Sequence, residues 1–173
     1  MKIKTTFTLL FFIAFTTLSV KAQTNWFRQR LNEQIAVHFP STPEILGTGN
    51  NIVYRYIDKD IIIYSANIID FKAAAHLDSA KLALMKDTQQ FADALKGGMS
   101  RTAKNYELGD VSLSKWEGCT TYNIIGKNVE KKTKIYILII LIGSKGYSLS
   151  CIVPDIASSK RKNDFFSNVE RSH

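Results

Sequence analysis

The 173-residue sequence has few of the residues that build recognisable catalytic and metal centres. Its two cysteines and three histidines form no CxxC, HExxH or paired-histidine spacing, which are the patterns typical of zinc sites. No serine lies in a GxSxG elbow, and no glycine loop continues into Lys-Ser or Lys-Thr as a phosphate-binding loop does. The sequence therefore predicts no catalytic residue, no metal site and no cofactor.

The scattered histidines and one acidic pair are the remaining candidates for chemistry. We expect His38, His76 and His173 to be ordinary surface residues, with a pair of His38 and His76 as the alternative. Asp58 and Asp60 lie in a predicted hairpin turn, where aspartate is favoured for turn geometry. Hydrolysis by two carboxylates requires both groups to face a cleft, and a tight turn predicts no cleft.

Residues 23–173 also lack an apolar run long enough to cross a membrane as a helix. Residues 135–142 are all apolar or aromatic, but a membrane helix needs about 20 such residues. Eight residues are an ordinary length for a strand. Because this run does not alternate with polar residues, both of its faces must be covered. The sequence predicts the central strand of a sheet.

The first 22 residues have the order of a secretory signal peptide. Lys2 and Lys4 precede an apolar segment at residues 7–15, and Val20-x-Ala22 forms a small-residue cleavage pattern. We expect cleavage after Ala22, which would leave residues 23–173 as a single domain in the periplasm or outside the cell. The alternative is a retained N-terminal anchor. No cysteine follows the apolar segment, so lipid modification is not expected.

The chain is mildly basic, and its basic residues gather in two clusters. Lys and Arg exceed Asp and Glu by eight, and the predicted leader carries three lysines and no acidic residue, which lowers the excess to five. Such a charge favours weak attraction to anionic surfaces. The first cluster surrounds a predicted hairpin tip and the second lies on a predicted helix: Lys127, Lys131, Lys132 and Lys134, then Lys160, Arg161 and Lys162.

These two clusters are the candidate contacts for an anionic polymer such as lipopolysaccharide or nucleic acid. Only Tyr136 is interleaved with them, whereas binding of single-stranded nucleic acid uses several aromatic side chains for stacking. Nucleic acid is therefore not the expected partner. The alternative explanation of both clusters is a solvated turn and a solvated helix face.

Hydrophobic periodicity predicts an α+β chain. Alternation of Ile35, Val37 and Phe39 predicts a strand, and residues 51–58 and 61–71 predict a hairpin. Steps of three and four predict one long helix over residues 73–96, started by Asp78 and stopped by Gly97-Gly98. Its apolar face comprises Leu77, Ala80, Leu84, Thr88, Phe91 and Leu95. Further strands follow, and a second helix after Pro154 is expected to bury Ile156, Phe166 and Val169.

The predicted hairpins also place Cys119 and Cys151. Cys119 is expected opposite Ile140 and Cys151 opposite Leu138, so the two cysteines would flank the same middle strand. Two strand spacings separate them by roughly 10 Å, whereas a disulfide needs Cα atoms within about 7 Å. We expect two buried free thiols, with a disulfide as the alternative.

Four segments resemble the PsbP-like group of exported α/β/α domains. They are residues 35–45 (IAVHFPSTPEI), 116–126 (WEGCTTYNIIG), 135–142 and 163–170 (NDFFSNVE). The resemblance implies an antiparallel sheet with helices on both faces. It implies no shared active site and, at most, an accessory role in an assembly.

Two functions from different classes follow from the sequence. The first is a non-catalytic envelope module that binds a protein partner, which a patch of exposed Trp26, Trp116 or tyrosine side chains would favour. The second is a carrier or sensor of a small ligand, with a pocket between the sheet and the long helix. We expect such a pocket to be lined by Tyr54, Tyr56, Tyr64 and Met85.

Overall fold

The computed structural model describes residues 26–157 and 160–172. The predicted signal peptide with its cleavage after Ala22, and His173, lie outside the described residues. The strands are β1 Phe27–Arg30, β2 Ile35–Phe39, β3 Glu44–Leu46, β4 Val53–Ile57, β5 Ile63–Asp70, β6 Glu107–Leu108, β7 Ser112–Trp116, β8 Cys119–Asn128, β9 Thr133–Ile142, β10 Lys145–Pro154 and β11 Val169–Arg171. The helices are α1 Phe71–Ala75, α2 Ser79–Met85, α3 Gln89–Thr102 and α4 Lys160–Ser167.

The strands form two antiparallel sheets. The large sheet has the order β3-β4-β5-β10-β9-β8-β6, with β7 also paired to β8. The small sheet has the order β1-β2-β11. Helices α1, α2 and α3 pack on one face of the large sheet, and the small sheet and α4 pack on the other face. The α+β class and the antiparallel sheet predicted from the sequence are confirmed.

Strand β9 is buried on both faces, as its unbroken apolar run predicts. Ile135, Ile137, Ile139 and Leu141 pack in the core beneath the three N-terminal helices. Ile140 lies in the opposite core, beneath the small sheet and α4. The small sheet is the feature that the sequence analysis did not predict, because two of its three strands have only four and three residues. No helix in the described ranges is long and apolar enough to cross a membrane.

The prediction of one long helix over residues 73–96 is wrong, because polar caps divide the segment into three helices. The side chains of Asp70, Asp78 and Thr88 each accept a hydrogen bond from a backbone N–H in the first turn of the helix that follows. His76 ends α1 in the left-handed region, with φ 55°. Thr88 is therefore a cap rather than a member of an apolar face.

Each restart rotates the buried face of the segment. Phe91 and Leu95 are buried as predicted, but Leu84 is 87% exposed and Leu82 is buried in its place. Gly97 and Gly98 do not stop the helix, since α3 continues through them to Thr102. The helix interior tolerates both glycines because three turns of α3 pack against the sheet.

The C-terminal helix also differs from the prediction. It is shorter, and its fully buried side chain is Phe165, with Phe166 half-buried. Ile156 is 99% exposed, because it lies in the turn that follows β10 and precedes α4. Val169 is buried as expected, but it belongs to strand β11.

Cys119 and Cys151 are free thiols, as predicted. Their register differs from the prediction: Thr121 rather than Cys119 pairs with Ile140, and Cys151 pairs with Tyr136. The cysteines are therefore separated by about six positions along the strand, roughly 20 Å, in addition to two strand spacings. Cys151 is fully buried, but Cys119 is only half-buried, which corrects the expectation of two buried thiols.

The two thiols should differ sharply in reactivity. Burial raises the pKa of the Cys151 thiol to about 12, which leaves about one thiolate in ten thousand at pH 8. We expect 5,5′-dithiobis(2-nitrobenzoate) at pH 8 to label one thiol in the native protein and both after unfolding in guanidinium. The variant C151S should keep the fast reaction, whereas loss of that reaction in C151S would contradict the assignment to Cys119.

Candidate functional site

A cleft of about 650 Å³ lies between the large sheet and helices α1 and α3. Its floor is one transverse row of the sheet: Val53, Asn67, Ser148 and Ile139 are successive cross-strand neighbours on β4, β5, β10 and β9. Its walls are mainly apolar helical side chains, including Phe71, Ala74, Leu77, Phe91, Leu95 and Met99. We refer to this space as the helix-side cleft.

Besides Thr102, whose hydroxyl donates to the carbonyl of Met99 within α3, three polar side chains line this apolar space. Asn67 and Ser148 lie side by side in the middle of the floor, and Arg101 comes from the last turn of α3. None of the three side chains forms a hydrogen bond or an ion pair with another described residue. Their donors and acceptors are therefore available to a ligand. An apolar cavity with a few convergent polar groups is typical of a small-molecule site.

The predicted pocket between sheet and helices thus exists, but its predicted lining is wrong. Tyr54, Tyr56 and Tyr64 pack on the opposite face of the large sheet, in or against the core beneath the small sheet. Side chains alternate between faces along a strand, and the β4–β5 register puts these three tyrosines on the same side. Met85 packs in the helix-side core, outside the lining of the cleft.

A second cavity, of about 490 Å³, opens beside the β4–β5 turn. We call it the Trp26 pocket; its lining is Trp26, Pro40, Tyr56, Asp58, Lys59, Lys160, Arg161 and Asp164. The sequence analysis excluded a cleft at Asp58 because a hairpin turn alone has none. That expectation is wrong, since Trp26 and α4 border the same cavity from other parts of the chain.

Asp58 is the buried centre of this turn, with its side chain only 1% exposed. Its Oδ1 accepts hydrogen bonds from the backbone N–H groups of Asp60 and Ile62, both at 2.9 Å. Its Oδ2 accepts from the hydroxyl of Tyr64 at 3.1 Å and from Nη1 of Arg161 at 3.4 Å. Burial, followed by the charge of Asp58, raises the pKa of Tyr64 well above its usual range, so the hydroxyl stays protonated and donates.

The basic residues of the two predicted clusters are grouped differently in space than along the sequence. Lys127 and Lys134 are direct cross-strand neighbours. Tyr136 lies two positions after Lys134 on the same face of β9, and Nζ of Lys162 is 3.8 Å from the centroid of its ring. Lys131 and Lys132 are exposed in the adjoining turn. We call these five lysines with Tyr136 the Lys127 patch. Lys160 and Arg161 instead line the Trp26 pocket.

The aromatic patch considered as a protein-binding surface is not present as such. Trp26 and Trp116 are both half-buried and pack against the core beneath the small sheet. The exposed apolar side chains next to the Lys127 patch are aliphatic: Ile125 is 52% exposed and Val129 lies at the hairpin tip.

His38 and His76 do not meet. Nε2 of His38 lies 2.7 Å from Oε1 of Glu170 in the small sheet, whereas His76 ends α1 on the opposite face of the large sheet. Arg28 and His38 together hold the pKa of Glu170 below its usual range. Within residues 26–157 and 160–172, no group of three or more His, Cys, Asp or Glu side chains is placed to hold a metal ion.

Comparison with solved structures assigns the architecture. The chain is similar to the cyanobacterial PsbP (CyanoP) of Synechocystis sp. PCC 6803, with a TM-score of 0.58 and 11% identity over 84% of this chain and 91% of that chain. The fold is PsbP-like. A structure from Bacteroides thetaiotaomicron VPI-5482 matches with a TM-score of 0.46 and 10% identity. This match covers 84% of the present chain but only about half (48%) of the Bacteroides chain.

The resemblance identified in the sequence is therefore confirmed at the level of the fold. A scan against models of protein families and a search of curated proteins each found no match. In this PsbP-like chain, the helix-side cleft and the Trp26 pocket lie on opposite faces of the large sheet. An identity of 11% carries no residue-level correspondence, so any function must be argued from the two cavities and the patch.

The hydrogen bonds of Asp58 predict a large difference between two aspartates of the same turn. D58A would leave two backbone N–H groups and the Tyr64 hydroxyl without their acceptor, so we expect a loss of about 2–4 kcal/mol in the free energy of unfolding. Asp60 is exposed and its side chain makes no hydrogen bond to another described residue. D60A should therefore cost less than about 0.5 kcal/mol. Urea unfolding measures both, and equal losses would refute the role assigned to Asp58.

Proposed function

We propose that this protein is a non-catalytic, exported binding module that holds a small ligand in the helix-side cleft. One observation carries the proposal: Asn67, Ser148 and Arg101 present polar groups without internal partners to a cleft of about 650 Å³ with apolar walls. Export is inferred from the order of residues 1–22, and the domain is proposed to begin at residue 23.

The lining supports binding rather than catalysis. No Asp, Glu, His, Cys or Lys is among the described residues that line the cleft. General acid–base chemistry near neutral pH depends mainly on such groups, and a serine hydroxyl such as that of Ser148 needs an adjacent base to become a nucleophile. The guanidinium of Arg101 is a fixed positive charge with several donors. The ligand that fits is an amphiphile, with an apolar body against the helices and one hydrogen-bonding or anionic end.

Neighbouring glycines of α3 allow a matched test of this site. A Cβ at Gly97 or Gly98 would meet no atom within 4 Å, but only Gly98 lines the cleft. Both G97L and G98L should favour the helix, because leucine has a higher helix propensity than glycine. We expect G98L to fill the cleft and weaken binding of 1-anilinonaphthalene-8-sulfonate, an anionic aromatic probe, at least tenfold, with G97L unchanged. Fluorescence titration measures both affinities.

The native mass spectrum of protein isolated from its own envelope completes the test. A small non-covalent adduct on the wild type and on G97L, absent from G98L, is the expected result. Equal probe affinity in the two variants would place binding outside the cleft and overturn the proposal. R101Q should reduce affinity for the anionic probe more than for a neutral probe of similar size, because Arg101 is the one charged side chain among the described residues that line the cleft.

An accessory, protein-binding role is the second candidate, and the Lys127 patch favours it. Lys127, Lys134 and Lys162 converge around Tyr136, and the partly exposed Ile125 lies directly across from that ring. A cationic rim around apolar side chains is complementary to an acidic partner protein. Reversal of Lys127, Lys134 and Lys162 to glutamate should abolish co-purification of such a partner from the envelope.

The control for this charge reversal is a triple variant on the other face of the sheet. Lys72, Lys81 and Lys104 are exposed residues of the helical side, and their reversal changes the net charge equally. Equal loss of the partner from both triple variants would indicate an effect of net charge alone and would exclude the Lys127 patch as the contact.

A further inference from the structure

The Trp26 pocket has the features of a binding site that is independent of the helix-side cleft. It lies on the other face of the large sheet, and the two linings share no residue. Four separate parts of the chain meet there: Trp26 before β1, Pro40 after β2, the β4–β5 hairpin and α4. Because the turn and α4 are joined by buried contacts, the walls are fixed relative to one another.

Asp58 orients Arg161 at the edge of this pocket. The Asp58 carboxylate is saturated by four contacts, only one of which comes from the guanidinium of Arg161. A guanidinium carries five N–H donors in a planar fork. Arg161 is 46% exposed and also lines the cavity, so its remaining donors are available on the pocket side. An anchored fork of this kind matches a planar carboxylate, which it can bind through two parallel hydrogen bonds.

Aromatic rings form the walls beside this cation. Trp26 packs edge-on against Tyr64, with ring centroids 6.4 Å apart, and Tyr56 is tilted against the same ring at 6.2 Å. Tyr64 is itself packed edge-on against Phe165 of α4. The two rings that line the pocket are thus supported by buried aromatic neighbours. Their faces and edges provide contact area for a flat apolar ring at a low cost in side-chain entropy.

The charges of the lining favour an anion overall. Lys59, Lys160 and Arg161 are cationic, and Asp58 and Asp164 are anionic, which leaves one net positive charge. The Asp58 charge is already engaged by its four donors, so it competes little with a ligand for Lys59 and for the remaining donors of Arg161. We propose that the Trp26 pocket binds a small aromatic carboxylate, with the carboxylate on Arg161 and the ring against Trp26 and Tyr56.

The sequence itself provides a selective reporter for this site. Trp26 and Trp116 are its two tryptophans, so W116F leaves Trp26 as the single indole. The indole N–H resonance of isotope-labelled W116F protein can be followed during titration with benzoate. We expect a saturable shift with benzoate and at least tenfold weaker binding of benzamide, which has the same ring without the negative charge.

Two variants test the role assigned to the cations. In the W116F background, R161K keeps the charge beside Asp58 but removes the planar fork, and it should weaken benzoate binding at least tenfold. K59Q leaves every Asp58 contact in place and should weaken it a few-fold. The matched control is K162Q, the next residue of α4, whose ammonium lies over Tyr136 and which does not line the pocket. K162Q should bind benzoate like the parent protein.

Several results would overturn the proposal. Equal affinities for benzamide and benzoate would show that the pocket does not recognise the negative charge. Equal losses of benzoate affinity in K162Q and R161K would show that only the surface charge matters. Absence of any saturable shift of the Trp26 indole resonance in the folded W116F protein would show that the pocket does not bind benzoate. G98L should leave the benzoate titration unchanged, so failure of the cleft as a ligand site and failure of the Trp26 pocket are separate outcomes.

Discussion

The double-sided burial of β9 and its neighbour β10 is the constraint on which the rest of the structure depends. Fully burying an aliphatic side chain contributes about 1.5–3 kcal/mol. Four side chains of β9 face the helices, so exposure of that face alone would cost about as much as the total stability of a typical domain, roughly 5–15 kcal/mol. Both covers are therefore required. The two cavities lie where each cover leaves part of the sheet accessible.

Asp58 links the second cover to the large sheet. Its carboxylate closes the β4–β5 turn through two backbone N–H groups and reaches Arg161 of α4. A buried carboxylate is costly unless it is paired and hydrogen-bonded, so the contact with Arg161, added to the two backbone N–H groups and the Tyr64 hydroxyl, favours this position of α4 relative to the turn. The same contacts that satisfy the charge also shape the Trp26 pocket. Stability and the geometry of a candidate site have one physical cause here.

On the other face, the helix-side cleft results from the way the helical segment is divided. Three polar caps restart the helix, and each restart changes which side chains point at the sheet. Asn67 of β5 and Ser148 of β10 come to lie beneath α1 and α3. The sequence analysis predicted a pocket on this face. The predicted lining was wrong because one continuous helix would turn a different set of side chains towards the sheet. The face of the sheet on which a strand residue lies also depends on the register of that strand.

Elements whose signals are local could be predicted from the amino-acid sequence alone. The apolar run of residues 135–142 required a strand covered on both faces, and Asp78 was recognisable as a helix cap. The alternation from Ile35 to Phe39 predicted the strand β2 but not its burial, since Ala36 is buried along with Ile35, Val37 and Phe39. The hairpins followed from their polar turns, and the placement of Cys119 and Cys151 on either side of β9 favoured free thiols over a disulfide even with the register misplaced by two residues.

The grouping of side chains at the candidate sites, by contrast, follows from tertiary packing. Asp58 and Arg161 are 103 residues apart in the sequence, and no local pattern links a turn to a distant helix. The merging of Lys162 with Lys127 and Lys134 likewise depends on how α4 lies across β9. Local propensities act through neighbouring residues, whereas a cavity is formed by side chains from several elements, whose relative positions are fixed only when both covers pack against the sheet.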